Sequence, residues 1–240
     1  MSKIADCMRS VRCPAASAVI VAAGSGTRFG GDKLLADLDG IPVLIHSLRA
    51  FERSSLISEV VLVARPEALE DISSLCARFG VQKLSCVVPG GVTRTESCFA
   101  GAMAVSEKAD IIAIHDGARP LVTEQIIDAA VWAAYRHSAA VPAVPVRDTV
   151  KLAAGGVVTA TPERELLFAV QTPQCFQKDM IKGALLKAVQ EKWEITDDCM
   201  AVERIGGKIF LTDGSEENLK ITTPLDLELA ELILKRRELE

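Results

Sequence analysis

The chain has 240 residues, 49% of them hydrophobic and 25% charged, with a formal net charge of −5. That length can bury a sizeable core and lies within the range of one α/β domain, and the composition excludes a disordered or fibrous chain. The acidic balance argues against nucleic acid as the main partner, because a duplex binder shows a basic face, so an anionic ligand must meet positive charge gathered locally.

The seven cysteines are odd in number and include no C-x-x-C pair, so they read as reduced, mostly packed thiols and not as a disulfide framework or a zinc site. Lys3, Arg9 and Arg12 are not followed by an export-type apolar stretch, and the first apolar run is too short to span a membrane. No membrane partner is expected, and the cytoplasm is the natural compartment.

Residues 18–23 form a short apolar run that stops at Gly24, which predicts a buried strand of a parallel sheet entering a backbone-lined loop. Gly24, Gly26, Gly30 and Gly31 remove the Cβ atoms that would hold a ligand off the main chain, and Arg28 and Lys33 add two cations. A nest of N–H groups with two positive side chains suits a triphosphate, whose charge must be matched by donors fixed in advance. Two familiar phosphate loops do not match. Gly31 is followed by Asp32, Lys33 and Leu34 and not by the Lys-Ser/Thr of a Walker loop, and Phe29 stands where a dinucleotide fingerprint needs its third glycine. A tight connection without a ligand is the other reading of these glycines.

Asp39 and Gly40 mark a turn, and Pro42 is expected at the first position of a helix on which Val43, Leu44, Leu48 and Phe51 recur at helical spacing. His46, alone on that helix, reads as a surface or packing residue. Strands at 59–64 and 84–88 flank a helix from Pro66 to about Arg78, which establishes β-α-β alternation. Gly90 and Gly91 then precede a helix start capped by Thr93 or Thr95, where free N–H donors meet Arg94 and Ser97, both expected to point at a ligand.

A strand at 110–114 runs into His115, Asp116 and Gly117. Asp116 is the best magnesium ligand in the chain, because it ends a parallel strand where open α/β sheets place ligands. Magnesium in nucleotide sites takes one or two carboxylates plus phosphate oxygens and water. A structural salt bridge to Arg119 is the alternative.

A helix at 123–136 follows, with His137 at its end, and then a run at 139–146 that carries two prolines. Two β-prone runs joined by Gly155 and Gly156 predict a hairpin arm over about 147–161, which breaks the alternation and is expected to pack on another subunit, since an isolated hairpin is marginal in water. A strand at 166–170, a helix at about 178–190, a helix capped from residues 196–198, a strand at 208–211, a last strand at 218–221 and a helix from Pro224 complete the expectation.

Seven loops now match one family in order: A-A-G-S-G-T-R-F-G with Lys33, G-G-V-T-R-T-E-S, H-D-G-A-R-P, P-V-R-D-T-V-K, Q-T-P-Q, I-T-D-D and E-N-L-K-I-T-T-P. From about residue 18 to 231 the chain resembles the 2-C-methyl-D-erythritol 4-phosphate cytidylyltransferases of the non-mevalonate isoprenoid pathway. The resemblance implies an α/β fold with a Rossmann-like, mostly parallel sheet, helices on both faces and a protruding β-hairpin arm, within a single domain spanning 1–240. It implies transfer of a cytidylyl group from CTP to a methylerythritol phosphate with magnesium and release of pyrophosphate, by a homodimer joined through the arm.

By the same resemblance Arg28 and Lys33 stabilise charge on the triphosphate, Asp116 holds magnesium, and Ala22, Ala23, Gly91 and Ser97 surround the nucleotide. Thr149, Arg164, Thr196 and Lys220 would hold the acceptor phosphate, with Thr149 and Arg164 supplied across the dimer. The chain departs from the family's usual pattern at Asp32, where proline is common, and at Val92, where an acidic residue is common. Ribitol 5-phosphate cytidylyltransferase shares the loops and differs at the acceptor pocket, and P-V-R-D-T-V-K favours the methylerythritol enzyme. A nucleotide-binding regulator that has lost catalysis is the reading from another class, and the presence of both Arg28 and Lys33 gives it no support.

Overall fold

The computed structural model describes residues 12–24 and 29–239. Strand β1 (Ala16–Ala22) is buried along almost its whole length, as its run of Ala, Val and Ile requires of a strand covered on both faces. A two-residue ladder, β2 (Asp37–Leu38) with β3 (Ile41–Pro42), leads into α1 (Val43–Arg53). The alternation continues through β4 (Ile57–Ala64), a 3₁₀ turn at Pro66–Ala68, α2 (Leu69–Arg78), β5 (Leu84–Pro89), α3 (Arg94–Ala104), β6 (Ile111–Asp116) and α4 (Glu124–His137). Strand β7 (Ala139–Pro145) precedes the hairpin β8 (Leu152–Ala154) and β9 (Val157–Ala160), and β10 (Phe168–Val170), β11 (Gln174–Gln177), α5 (Lys178–Gln190), α6 (Asp198–Arg204), β12 (Phe210–Asp213) and α7 (Pro224–Leu239) follow.

The main sheet runs β10-β7-β11-β6-β1-β4-β5, with β12 also on β7. Strands β5, β4, β1, β6, β7 and β12 point one way and β10 and β11 the other, so the sheet is mixed and mostly parallel. Period-two alternation splits β1 between two cores. Ala16, Ala18, Ile20 and Ala22 face a layer that contains Leu48 and Phe51 of α1, Ile72 of α2 and Ile127 of α4. Val19 faces Cys98 and Ala102 of α3, Leu185 of α5 and Val202 of α6. A third cluster seats Ala230 of α7 against Leu38, Val43, Leu121 and Ile221.

Helix α3 lies unusually low on the sheet at Gly101, where a Cβ atom would fall 2.4 Å from Val19 Cγ1 and 2.6 Å from Val63 Cγ2. His46 is a packing residue, its Nε2–H donating to the Leu38 carbonyl at 2.7 Å. Of the cysteines described, Cys76, Cys98, Cys175 and Cys199 are buried thiols, whereas Cys13 is exposed.

Several local expectations change. Pro42 caps α1 from the end of β3 and is not its first residue. The expected strand at 166–170 shortens to β10 behind a 3₁₀ turn at Arg164–Leu166, and it is an exposed edge, not a core strand. The strand expected at 208–211 forms two residues later, as β12. No strand forms at 218–221, because that segment is moored by side chains: Asn218 Nδ2 donates to Gln171 Oε1 (3.2 Å) and to the Thr172 carbonyl (3.1 Å), and Arg119 Nη1 donates to the Asn218 carbonyl (2.6 Å). The hairpin pairs only with itself, and each of its strand residues is exposed.

Candidate active site

Strand β1 is followed on one side by β4 and β5, and the chain then crosses to lay β6 on the other side, so the sheet's topological switch lies between β1 and β6. Ligands of open α/β sheets bind outside the carboxyl ends of the strands at such a point. In the ladder Val21 stands opposite Asp116, which brings the end of β1 level with the Asp116 carboxylate. A cavity of about 360 Å³ opens there. Ala22, Ala23, Gly24 and Lys33 line it from the first loop, Gly91, Arg94 and Ser97 from the second, and Asp116 and Lys220 close it. Arg28 and Gly26 lie outside the described residues.

The second loop holds its own shape. Thr93 caps α3 by accepting the Glu96 N–H at 3.1 Å, while Glu96 Oε2 accepts the N–H groups of Val92 (2.7 Å) and Thr93 (3.0 Å), a reciprocal capping box. Ser97 Oγ accepts the Gly91 N–H (3.1 Å) and donates to the Thr93 carbonyl (3.0 Å), so its hydroxyl proton is spent on the loop. Gly90 serves packing as well as access: a Cβ there would lie 2.5 Å from Ala23 Cβ, which locks the two loops together. Val92 borders the cavity at its open side and is 98% exposed. Asp32 is engaged with Arg65 at 2.5 Å and accepts the Leu34 N–H, fixing the turn that carries Lys33.

Three cations surround Asp116. Lys220 Nζ lies 2.9 Å from Oδ2, Arg119 Nε 3.6 Å from the same oxygen, and Arg94 Nε 4.0 Å from Oδ1. Burial works to raise the pKa of this carboxyl, but Lys220, Arg94 and Arg119 outweigh it and hold the group at about 2, so it is ionised at neutral pH. The salt bridge to Arg119 expected as an alternative role is present, and Lys220 is the nearer partner.

Behind the carboxylate, Thr172 Oγ1 accepts the Asp116 N–H at 3.2 Å and faces His115 Nδ1 at 3.0 Å, while His115 Nε2 faces the Arg119 carbonyl at 3.3 Å. The carbonyl can only accept, so Nε2 carries the proton and the Thr172 hydroxyl donates to Nδ1. Burial lowers the His115 pKa to about 3, which keeps the ring neutral.

On the other side, Arg94 Nη2 donates to Asp198 Oδ2 at 2.7 Å. Burial opposes the Arg94 charge and Asp198 more than offsets it, so the guanidinium stays firmly protonated. Gln174 in turn accepts the N–H groups of Asp198 (2.9 Å) and Cys199 (3.2 Å) and donates to Asp197 Oδ2 (2.8 Å). His115, Thr172, Gln174 and Asp198 were not singled out from the sequence as site residues. The only signal was that they fall in the quoted H-D-G-A-R-P, Q-T-P-Q and I-T-D-D runs.

Three expected acceptor residues are not in the cavity. Thr149 and Arg164 are exposed near the hairpin, with Arg164 Nη1 donating to the Arg147 carbonyl at 3.3 Å, and Thr196 lines an adjoining groove with Arg94 and Trp193. For a metal, no three His, Cys, Asp or Glu side chains converge among the described residues. Asp116 therefore offers one cavity-facing carboxylate, which fits magnesium arriving with phosphate oxygens and not a metal held by the protein alone. Among the described residues no helix is long and apolar enough to cross a membrane.

Comparison with known proteins bears on this site. Residues 16–236 match the family model described as 2-C-methyl-D-erythritol 4-phosphate cytidylyltransferase. A protein of that name from Caldanaerobacter subterraneus subsp. tengcongensis is 44% identical over 224 residues, covering 92% of this chain and 99% of the relative. One from Pelotomaculum thermopropionicum is 44% identical over 226 residues, covering 92% and 95%. The crystal structure of 4-diphosphocytidyl-2C-methyl-D-erythritol synthase from Anaerococcus prevotii superposes with a TM-score of 0.83 at 30% identity, covering 93% of this chain and all of that one.

Proposed function

The chain belongs to the 2-C-methyl-D-erythritol 4-phosphate cytidylyltransferase family, and on that premise we propose that it transfers the cytidylyl group of CTP to 2-C-methyl-D-erythritol 4-phosphate. The products are 4-diphosphocytidyl-2-C-methyl-D-erythritol and pyrophosphate, and the step belongs to the non-mevalonate isoprenoid pathway. The observation that carries the reading is the meeting of Lys33, Arg94 and Lys220 with Asp116 in a glycine-walled cavity at the switch point of the sheet.

A phosphate monoester has a second pKa of about 6, so the acceptor is largely dianionic at neutral pH and attacks the α-phosphorus without a general base. The buried His115 is consistent with that chemistry, since both of its ring nitrogens are engaged, Nδ1 by the Thr172 hydroxyl and Nε2 by the Arg119 carbonyl. What the protein supplies is alignment of two mutually repelling anions and relief of charge on the departing pyrophosphate. Lys33, with Arg28, neutralises the triphosphate. Lys220 holds the acceptor phosphate, together with Thr149, Arg164 and Thr196. Asp116 would hold magnesium, which when bound shields phosphate charge.

The single 1–240 domain works as a cytoplasmic homodimer in this reading. Leu152, Val157 and Val158 of the hairpin and Phe168 and Val170 of β10 are exposed, and a second copy that covers them carries Thr149 and Arg164 to the neighbouring cavity. Pyrophosphate release is measured with CTP, magnesium and a panel of acceptors that includes ribitol 5-phosphate. Release is expected with 2-C-methyl-D-erythritol 4-phosphate. Preference for the ribitol ester, or CTP binding without turnover on any acceptor, overturns the assignment.

A further inference from the structure

Asp198 has no solvent-accessible surface, and Oδ1 has no nitrogen or oxygen donor among the described residues. Its single strong partner is Arg94, at 2.7 Å from Oδ2. A buried carboxylate is costly unless a charge is paired with it, and Arg94 supplies that charge. Arg94 is one-third exposed and lines the cavity, and its next carboxylate is Asp116, at 4.0 Å. Arg94 therefore sits between two acids, and the one behind the wall has the shorter, hydrogen-bonded hold.

If Asp198 lost its charge, nothing would oppose the pull of Asp116. Arg94 would close the remaining gap and pair with Asp116 inside the cavity, taking up the one carboxylate suited to a metal. Asp198 is itself fixed from behind: its N–H is held by Gln174, and Asp197 caps the helix by accepting the Met200 N–H at 2.9 Å. The restraint on Arg94 is thus anchored in α6 and β11, outside the loops that meet the ligand.

We propose that Asp198 is a positioning residue for nucleotide binding that acts through Arg94, holding its guanidinium off Asp116 and against the cavity wall. The proposal rests on the reading of the cavity as a CTP site. It is tested by calorimetric titration of CTP with magnesium, with no acceptor present, and by steady-state kinetics on the full chain. Asp198→Asn is expected to weaken CTP binding about tenfold or more, and to raise the KM for CTP in step, as loss of a charged hydrogen bond does. The KM for the acceptor stays within about twofold, whereas a general distortion of the site would raise both KM values. In an Arg94→Met background the further change Asp198→Asn alters CTP affinity by no more than about twofold, because the residue through which it acts is gone.

Asp198→Glu keeps the charge and is expected to recover most of the affinity. Should a single neutralised variant fail to fold, the double variant, which buries no unpaired charge, and Asp198→Glu carry the comparison. Unchanged CTP affinity in Asp198→Asn overturns the proposal, as do losses that multiply independently in the double variant or equal rises in both KM values. Wild-type protein that binds CTP but turns over no acceptor overturns the assigned reaction and leaves this result readable.

Discussion

Lys220 Nζ lies 2.9 Å from Asp116 Oδ2, although the two residues come from elements far apart in the chain. Nothing in a strand ladder brings Lys220 there. Its loop is tied down by Asn218, whose carbonyl accepts from Arg119, and by the Ile221 N–H, which donates to the Ala118 carbonyl at 2.8 Å. The lysine is therefore delivered by the same turn that presents the aspartate.

Lys220→Met is expected to raise the KM for the acceptor phosphate by about tenfold or more, since a charge-assisted contact is lost, while CTP affinity changes less. The KM values of the purified variant check this. A selective rise for CTP would move Lys220 to the nucleotide half of the site.

His115 predicts an acid-side loss of stability. Burial lowers its folded pKa from 6.5 to about 3, so the unfolded chain binds the proton more readily between these values. The stabilisation is complete above about pH 6.5 and is lost as pH falls toward 3. Asp116, held at about 2 against an ordinary 3.8, adds a further loss only as pH falls below about 4. The unfolding free energy of metal-free protein, measured with denaturant, should therefore fall steadily from pH 6.5 to 4, and His115→Gln, which can still accept from Thr172 and donate to the Arg119 carbonyl, should flatten that slope.

Gln174→Leu should lower stability by about 2–4 kcal/mol, because the buried N–H groups of Asp198 and Cys199 lose their acceptor. Equilibrium unfolding in urea measures it. The same variant is expected to raise the KM for CTP, since Gln174 fixes the residue that holds Arg94.

Mixed dimers test the role assigned to the hairpin. Arg164→Ala and Lys33→Ala subunits are each expected to be nearly inactive alone, and their heterodimers should regain activity at the one site built from both intact halves. Verified heterodimers with no recovered turnover would mean that Arg164 and Lys33 serve the same chain's site, and would leave the hairpin a structural role.

The parts of the fold that were legible in the sequence are those fixed by neighbours. β-branched runs closed by glycine or proline marked β1, β4 and β5, helical spacing marked α1, Pro224 marked the start of α7, and side-chain caps marked the starts of α3 and α6. The antiparallel insertion of β11 between β6 and β7 had no local sign, because the pairing joins Gln174 to Ile114 and Cys175 to Ala140 across long separations. The apolar alternation of 218–221 suggested a strand, yet Asn218 and Ile221 spend their polar groups on distant loops. In the site, glycines, Lys33 and Asp116 could be read from composition at strand ends. Asp198 could not, since a carboxylate that opens a helix looks like any other first-turn acid until its buried arginine is seen.

Gly101 carries a consequence for how the site can change. It lies seven residues along α3 from Arg94, about 10 Å at the ordinary helical rise, and touches no part of the cavity. Yet the missing methyl there sets the height at which the helix rests on Val19 and Val63. The helix is a lever whose fulcrum is a vacancy in one side chain. A sequence that drifted to alanine at this position would have to tilt the lever or thin the valines beneath it, so Val19, Val63 and Gly101 can vary only as a set. The grip on a ligand would shift with them, although none of the three ever meets it.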